Sequence, residues 1–192
     1  MRSRIISLAT FPTLLLFVVV LWAGAREVAQ QPASVPKAKS HQQPASAPAH
    51  PAVLVQLMRG IMFPNSNVLF AATNKNPADI PPAKIPSAAT DPLEGTFGQW
   101  QAAENSSLAI VEAASLLTVP RRLCSNDRPV PTTNADWPKL VQGLRNAGMQ
   151  CYRAAQSKNM DKLSDATDVL TTACSNCHAK YRDTAKLADR CR

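Results

Sequence analysis

Two thiols and an imidazole fall close together near the end of the chain, in Cys174-Ser175-Asn176-Cys177-His178. The spacing C-x-x-C-H is the pattern for covalent attachment of a c-type haem. The thiols add to the vinyl groups of the macrocycle, and the histidine binds iron from the proximal side. The run lies late in an apolar repeat of helical period, and on a helix residues three and four apart share a face. Cys174 therefore stacks over both Cys177 and His178, so one flat macrocycle can meet all three. A redox dithiol and a zinc site also use paired thiols. A dithiol belongs at the start of a helix in a strand–helix–strand setting, whereas this pair lies late in an all-helical pattern. Zinc needs a fourth ligand. The other histidines, His41 and His50, lie in Pro-rich sequence, which leaves Cys124, Cys151 or Cys191. Haem attachment is the expectation.

The elements that would position this set are helices. The chain of 192 residues has only 6 glycines and 5% aromatics, and Ala-rich sequence of this kind favours helix over sheet. A first helix starts near Val53, with Leu54, Leu57, Met58, Ile61 and Met62 at helical spacing. Pro64 should kink or end it, because its ring removes a hydrogen bond and crowds the carbonyl of Gly60. A short continuation passes through Val68, Leu69 and Phe70, and residues 74–92 read as a loop. A second helix enters at Asp91-Pro92, with Glu94 completing a capping box and Gly95 and Gly98 delaying the regular turns. Its stripe is Trp100, Ala103, Leu108, Val111, Ala114 and Leu117, and Pro120 closes it. A third helix is capped by Asn134 or Asp136, has Pro138 in its first turn, and carries Trp137, Leu140, Val141, Leu144, Gly148, Cys151, Tyr152 and Ala155 as a seam. A fourth, spanning about residues 160–183, lines its inner face with Leu163, Ala166, Leu170, Ala173, Cys177 and Tyr181. The connection between the last two is short, so they should be antiparallel neighbours.

Four amphipathic helices with Cys174-Ser175-Asn176-Cys177-His178 on the last, followed by Tyr181-Arg182, resemble the cytochrome c′ family and its C-x-x-C-H-x-x-Y-R pattern. The resemblance covers roughly residues 53–183. It implies an all-α, antiparallel four-helix bundle holding one covalent haem c near the end of the last helix. His178 is then the proximal iron ligand, and the distal residue comes from the first helix. That residue is apolar in five-coordinate members and methionine in the low-spin branch. Met58 and Met62 are both candidates, and His/Met ligation raises the reduction potential. A family arginine about one turn before the distal residue matches Arg59 with Met62 or Phe63, which favours Met62. If Phe63 faces the iron, the site is five-coordinate. Arg59 and Arg182 suit haem propionates, since a guanidinium pairs well with a carboxylate, and Tyr181 stands three residues after His178 beside the macrocycle. Trp100, Trp137 and Tyr152 are expected as core.

Residues 1–25 read as an export signal: Arg2 and Arg4, an uncharged stretch over residues 5–25, and a small Ala23-Gly24-Ala25 ending. Uncleaved, the stretch is just long enough to anchor the chain in a membrane. Residues 26–52 form a Pro/Ala/Gln-rich linker in which Gln30-Gln31-Pro32-Ala33-Ser34 recurs as Gln42-Gln43-Pro44-Ala45-Ser46. The cytochrome-like domain is residues 53–192. An exported protein can keep disulfides. Cys124 and Cys191 lie in irregular segments and are expected to pair, leaving Cys151 as a buried thiol.

The formal net charge of +8 falls to +6 without Arg2 and Arg4. The excess suits an acidic redox partner or an anionic surface. It is too scattered for nucleic acid, with no basic run or stacking platform. No set of catalytic acid, base and nucleophile is visible. The expected function is one-electron transfer in the periplasm. Gas binding at a five-coordinate iron, or a haem-free zinc or structural module, are the alternatives, and pairing of two copies is open, as in many relatives. We predict that the exported chain begins at Arg26. N-terminal sequencing that still finds Met1 or Arg2 on the exported protein contradicts cleavage and supports an anchor.

Overall fold

The computed structural model describes residues 50–186, 188, 190 and 191. The proposed signal at residues 1–25 and nearly all of the 26–52 linker lie outside the described residues. Among the described residues there are no strands, only an isolated bridge between Leu123 and Pro129. No helix among them is long and apolar enough to cross a membrane. The fold is all-α with four main helices.

Helix α1 runs without a break through α-helical Leu54–Leu57, a π-helical turn at Met58–Met62, and α-helical Phe63–Asn74. Of the two outcomes expected at Pro64, a kink or an end, the second does not occur: the helix continues to Asn74, and the irregularity lies in the turn before the proline. The wider turn closes with a bond from the Phe63 amide to the Met58 carbonyl. Pro64 then falls in the first turn of the next α-helical stretch, where a missing N–H costs least. Two side chains take up carbonyls around the turn: Asn65 Nδ2 donates to Ile61 at 2.7 Å and Ser66 Oγ to Met62 at 2.9 Å.

The stretch after α1 is a loop with two short 3-10 turns, Pro77–Asp79 and Pro86–Ala88. The entry signal at Asp91 forms a third, Pro92–Glu94, in which Asp91 Oδ1 accepts from the Leu93 amide at 2.9 Å. The long helix α2 starts only at Gln99 and runs Gln99–Ala113, continuing as a 3-10 stretch Ala114–Thr118. The separation has a steric cause. A side chain at Gly98 would collide with the Leu93 carbonyl, so the chain folds tightly on itself before helix can begin. Within α2, Leu108 is only half-buried, and Ile110, Ser106 and Ser107 take the inner positions. Ser107 Oγ donates to the Ala103 carbonyl at 2.7 Å, which satisfies it without a partner helix.

Helix α3 is Trp137–Gln156 and α4 is Met160–Tyr181. The chain reverses over residues 157–159, Asn159 Oδ1 caps α4 by accepting from the Lys162 amide at 2.9 Å, and α4 packs back along α3. Helix α2 packs on both α1 and α3, and α4 also meets α1. Leu69, Ile110, Trp137, Cys151, Leu163 and Leu170 are among the most deeply buried side chains.

The loop between α2 and α3 gathers both ends of this unit. The Leu54 amide donates to the Leu123 carbonyl at 2.8 Å, and the buried Arg122 guanidinium donates to the carbonyls of Ala52 and Leu116. On the other side Cys124 and Cys191 stand at disulfide distance with Cα atoms 4.9 Å apart, and Asn126 Nδ2 donates to the carbonyls of Ala188 and Arg190.

Gly148 sets the approach of α2 to α3, because a Cβ there would lie 2.9 Å from Val111 Cγ2. Gly143, on the same helix, faces open space. Gly148→Val should therefore lose about 1–3 kcal/mol through overpacking. Gly143→Ala should gain up to about 1 kcal/mol in helix propensity. Urea midpoints at unchanged m-value check both, and a Gly148→Val midpoint at the wild-type value contradicts the close approach.

Candidate cofactor site

The inner face of α4 changes character along its length. Leu163, Ala166 and Leu170 are buried, whereas Ala173, Cys174, Cys177 and His178 are half-buried. The cause is a cavity of about 800 Å³ that opens beside the second half of the helix. Its size falls in the range of roughly 300–1,000 Å³ that small-molecule and cofactor sites occupy. Cys174, Cys177 and His178 line it from α4. Leu54, Met58, Arg59, Met62, Phe63 and Phe70 line it from α1, and Leu140, Val141 and Leu144 from α3. Ile110 and Leu117 complete the wall from α2 and its extension. The folded chain thus brings to one cavity Cys174, Cys177, His178, Met58, Met62, Arg59, Tyr181 and Arg182. Among the remaining expected residues, Cys191 reaches its rim while Cys124 does not line it.

The two thiols and the imidazole are all held toward their neutral forms. Burial pushes the Cys177 thiol up to about 11, with the nearby Cys174 and Asp136 adding to the effect. Burial also raises Cys174. His178 titrates below its ordinary value, first because it is partly desolvated and then because the Arg182 guanidinium is close. Near neutral pH the set therefore offers two S–H groups and an imidazole nitrogen with a free lone pair. A redox dithiol needs a depressed thiol pKa, usually at a helix N-terminus. These thiols lie toward the C-terminal end of α4 and are shifted the other way. Among the described residues, no group of three or more His, Cys, Asp or Glu side chains could hold a metal ion, so Cys174, Cys177 and His178 lack the convergence a zinc site requires. A haem asks for something different: two thiols on one face, one imidazole, and a large apolar chamber. The residues present fit that group.

On the α1 side, Met62 is 8% exposed and Met58 half-buried, while Phe63 is 64% exposed at the edge of the cavity. Met58 and Met62 bound the π-helical turn, a distortion that collects at functional sites in other helices. Arg59 is exposed on the rim, and no ion pair engages it among the described residues. Arg182 is engaged already. Its Nε lies 2.8 Å from Asp183 Oδ1, and its second nitrogen donates to Oδ2 at 2.9 Å.

Sequence reasoning missed part of the wall. Trp137, expected as core alone, also lines the cavity, and its Nε1 donates to the Leu117 carbonyl at 3.0 Å. Tyr181 packs edge-on against it with ring centroids 4.8 Å apart. Asp136, one of the two residues expected to cap α3, stands at its N-cap position but makes no cap bond. Its carboxylate accepts from the Tyr181 hydroxyl at 2.9 Å and from Lys180 Nζ at 2.6 Å. No local signal points to this pairing, because the partners are more than forty residues apart.

Compared with protein-family models, curated proteins and solved structures, the chain matches none.

The raised thiol gives a direct test on haem-free protein. With Cys151 replaced by Ala, iodoacetamide near neutral pH should alkylate Cys177 about a hundredfold more slowly than a thiol at the ordinary value of 9.0. The rate should climb with pH until about 11. Alkylation as fast as in the urea-unfolded chain shows that burial does not restrain the thiol.

Proposed function

We propose that this chain is an exported monohaem c-type cytochrome that passes single electrons, built as an antiparallel four-helix bundle of the cytochrome c′ kind. One observation carries the reading. Cys174, Cys177 and His178 on α4 face the same cavity as Met58 and Met62 on α1.

When bound, haem supplies a one-electron couple at its iron. Cys174 and Cys177 would hold it through thioethers, and His178 would offer its neutral imidazole nitrogen to the metal. Met62 is the favoured distal donor. It is the more buried of the two methionines, whereas Phe63, the apolar alternative, is mostly exposed. Leu140, Val141 and Leu144 would help keep water from the bound group, and Arg59 on the rim would be the guanidinium left to receive a propionate. Arg182, tied to Asp183, serves instead as a positive charge near His178. The +6 of the processed chain would favour an acidic redox partner in the periplasm.

The test is optical. Purified protein should keep its haem through denaturing electrophoresis, and Cys174→Ala with Cys177→Ala should lose it. The ferrous spectrum should be low-spin and unmoved by carbon monoxide. Met62→Ala should make it sensitive to carbon monoxide and lower the reduction potential, while Met58→Ala should leave both unchanged. A wild-type ferrous spectrum that is high-spin and shifts with carbon monoxide overturns the electron-transfer reading in favour of gas binding.

A further inference from the structure

We propose that Asp136 is a positioning residue of this site: its carboxylate, at the entry to α3, grips the last turn of α4 and so fixes where His178 stands. The inference rests on reading the cavity as the cofactor site.

Asp136 occupies the N-cap position of α3 without making a cap bond, although aspartate there ordinarily accepts from a free amide of the first turn. Both of its oxygens are committed to α4. Oδ1 accepts from the Tyr181 hydroxyl at 2.9 Å and Oδ2 from Lys180 Nζ at 2.6 Å. Lys180 and Tyr181 lie two and three residues beyond His178. The amides of Arg182 and Asp183 both donate to the His178 carbonyl, at 2.9 and 2.8 Å. The turn that Asp136 grips therefore begins at the imidazole-bearing residue.

The two contacts differ in weight. The Lys180 side chain is 55% exposed, so water and salt screen that pair and its contribution is small. Tyr181 is buried, and a hydroxyl bonded to a charged acceptor there is the stronger tie. Its surroundings fix it further. Asn134 Nδ2 donates to the hydroxyl at 3.3 Å, and Trp137 meets the ring edge-on. Asn134, Asp136 and Trp137 all belong to the entry of α3, so a single short stretch of chain orients Tyr181 by hydroxyl and ring together. Cys174, Cys177 and His178 line the cavity, so the turn that follows them is where a contact from α3 can set the position of His178.

The experiment uses the full chain with Asp136→Ala and Asp136→Asn. In Asp136→Ala, amide hydrogen exchange at Arg182 and Asp183 should quicken by about tenfold or more, with exchange at Leu163 and Leu170 unchanged. Asp136→Asn keeps an acceptor oxygen for Tyr181 and should return exchange to within about twofold of wild type. In haem-loaded protein, Asp136→Ala should shift the midpoint potential, and Asp136→Asn should shift it less. Unchanged exchange at Arg182 and Asp183 overturns the proposal. So does an equal rise at Leu163 and Leu170, which marks general destabilisation, and so does an unchanged potential in Asp136→Ala. Wild-type protein without covalent haem removes the electron-transfer reading, and exchange at Arg182 and Asp183 in the haem-free chain then decides whether Asp136 holds the turn.

Discussion

One helix face has to do two incompatible things. Along its first half, α4 presents Leu163, Ala166 and Leu170 to the core and seals it. Along its second half, Cys174, Cys177 and His178 line a cavity instead. A helix cannot change face without breaking, so the surrounding elements have to change. The α2–α3 contact is tightened by Gly148, and the neighbouring α3–α4 seam holds Cys151 fully buried. Farther along, Leu140, Val141 and Leu144 stand back from α4 and become cavity wall. At the far end Tyr181, itself part of the cavity wall, is buried again. Burial at the ends can stabilise the helix while the middle contributes little of its own.

The opposite wall meets a different difficulty. Pro64 stands in the middle of α1, where a regular helix would lose a hydrogen bond and crowd the preceding turn. The π-helical turn at Met58–Met62 absorbs the misfit with one wider loop of backbone, and Asn65 and Ser66 occupy nearby carbonyls. The disturbance coincides with the cavity-lining stretch of α1. The turn that accommodates the proline also carries the two thioethers facing the chamber. Local backbone irregularity and candidate ligand position are one feature of the chain.

Much of this was legible because it is local. The C-x-x-C-H run, the stripes of α3 and α4, and the Pro138 entry each depend on residues within a turn or two of one another, and helix period carries that information. The same locality explains the errors. Asp91-Pro92-Glu94 reads as a helix start, and a start it is, but of a single 3-10 turn. The tight fold at Gly98, where a side chain would strike the Leu93 carbonyl, has no signature distinct from an ordinary glycine. Pro64 announces a kink or an end, and which of the two follows depends on how the preceding turn widens. Asp136 was legible as a cap because caps are local. Its partners Lys180 and Tyr181 are brought near only by the reversal between α3 and α4. The cavity was wholly invisible, since its walls come from all four helices, although each motif residue that lines it could be named in advance.

The loop between α2 and α3 has a mechanical meaning. The backbone entering α1 is bonded to it through Leu123 and Arg122, and the backbone leaving α4 through Cys124 and Asn126. Both ends of the unit are therefore stitched to one short piece of chain. A pull on the segment preceding Ala52 would be borne there, with Arg122 as one rivet and the Cys124–Cys191 link as the other. The load path would run along the short stretch from Arg122 to Cys124, and the helices that wall the cavity would be spared the shear.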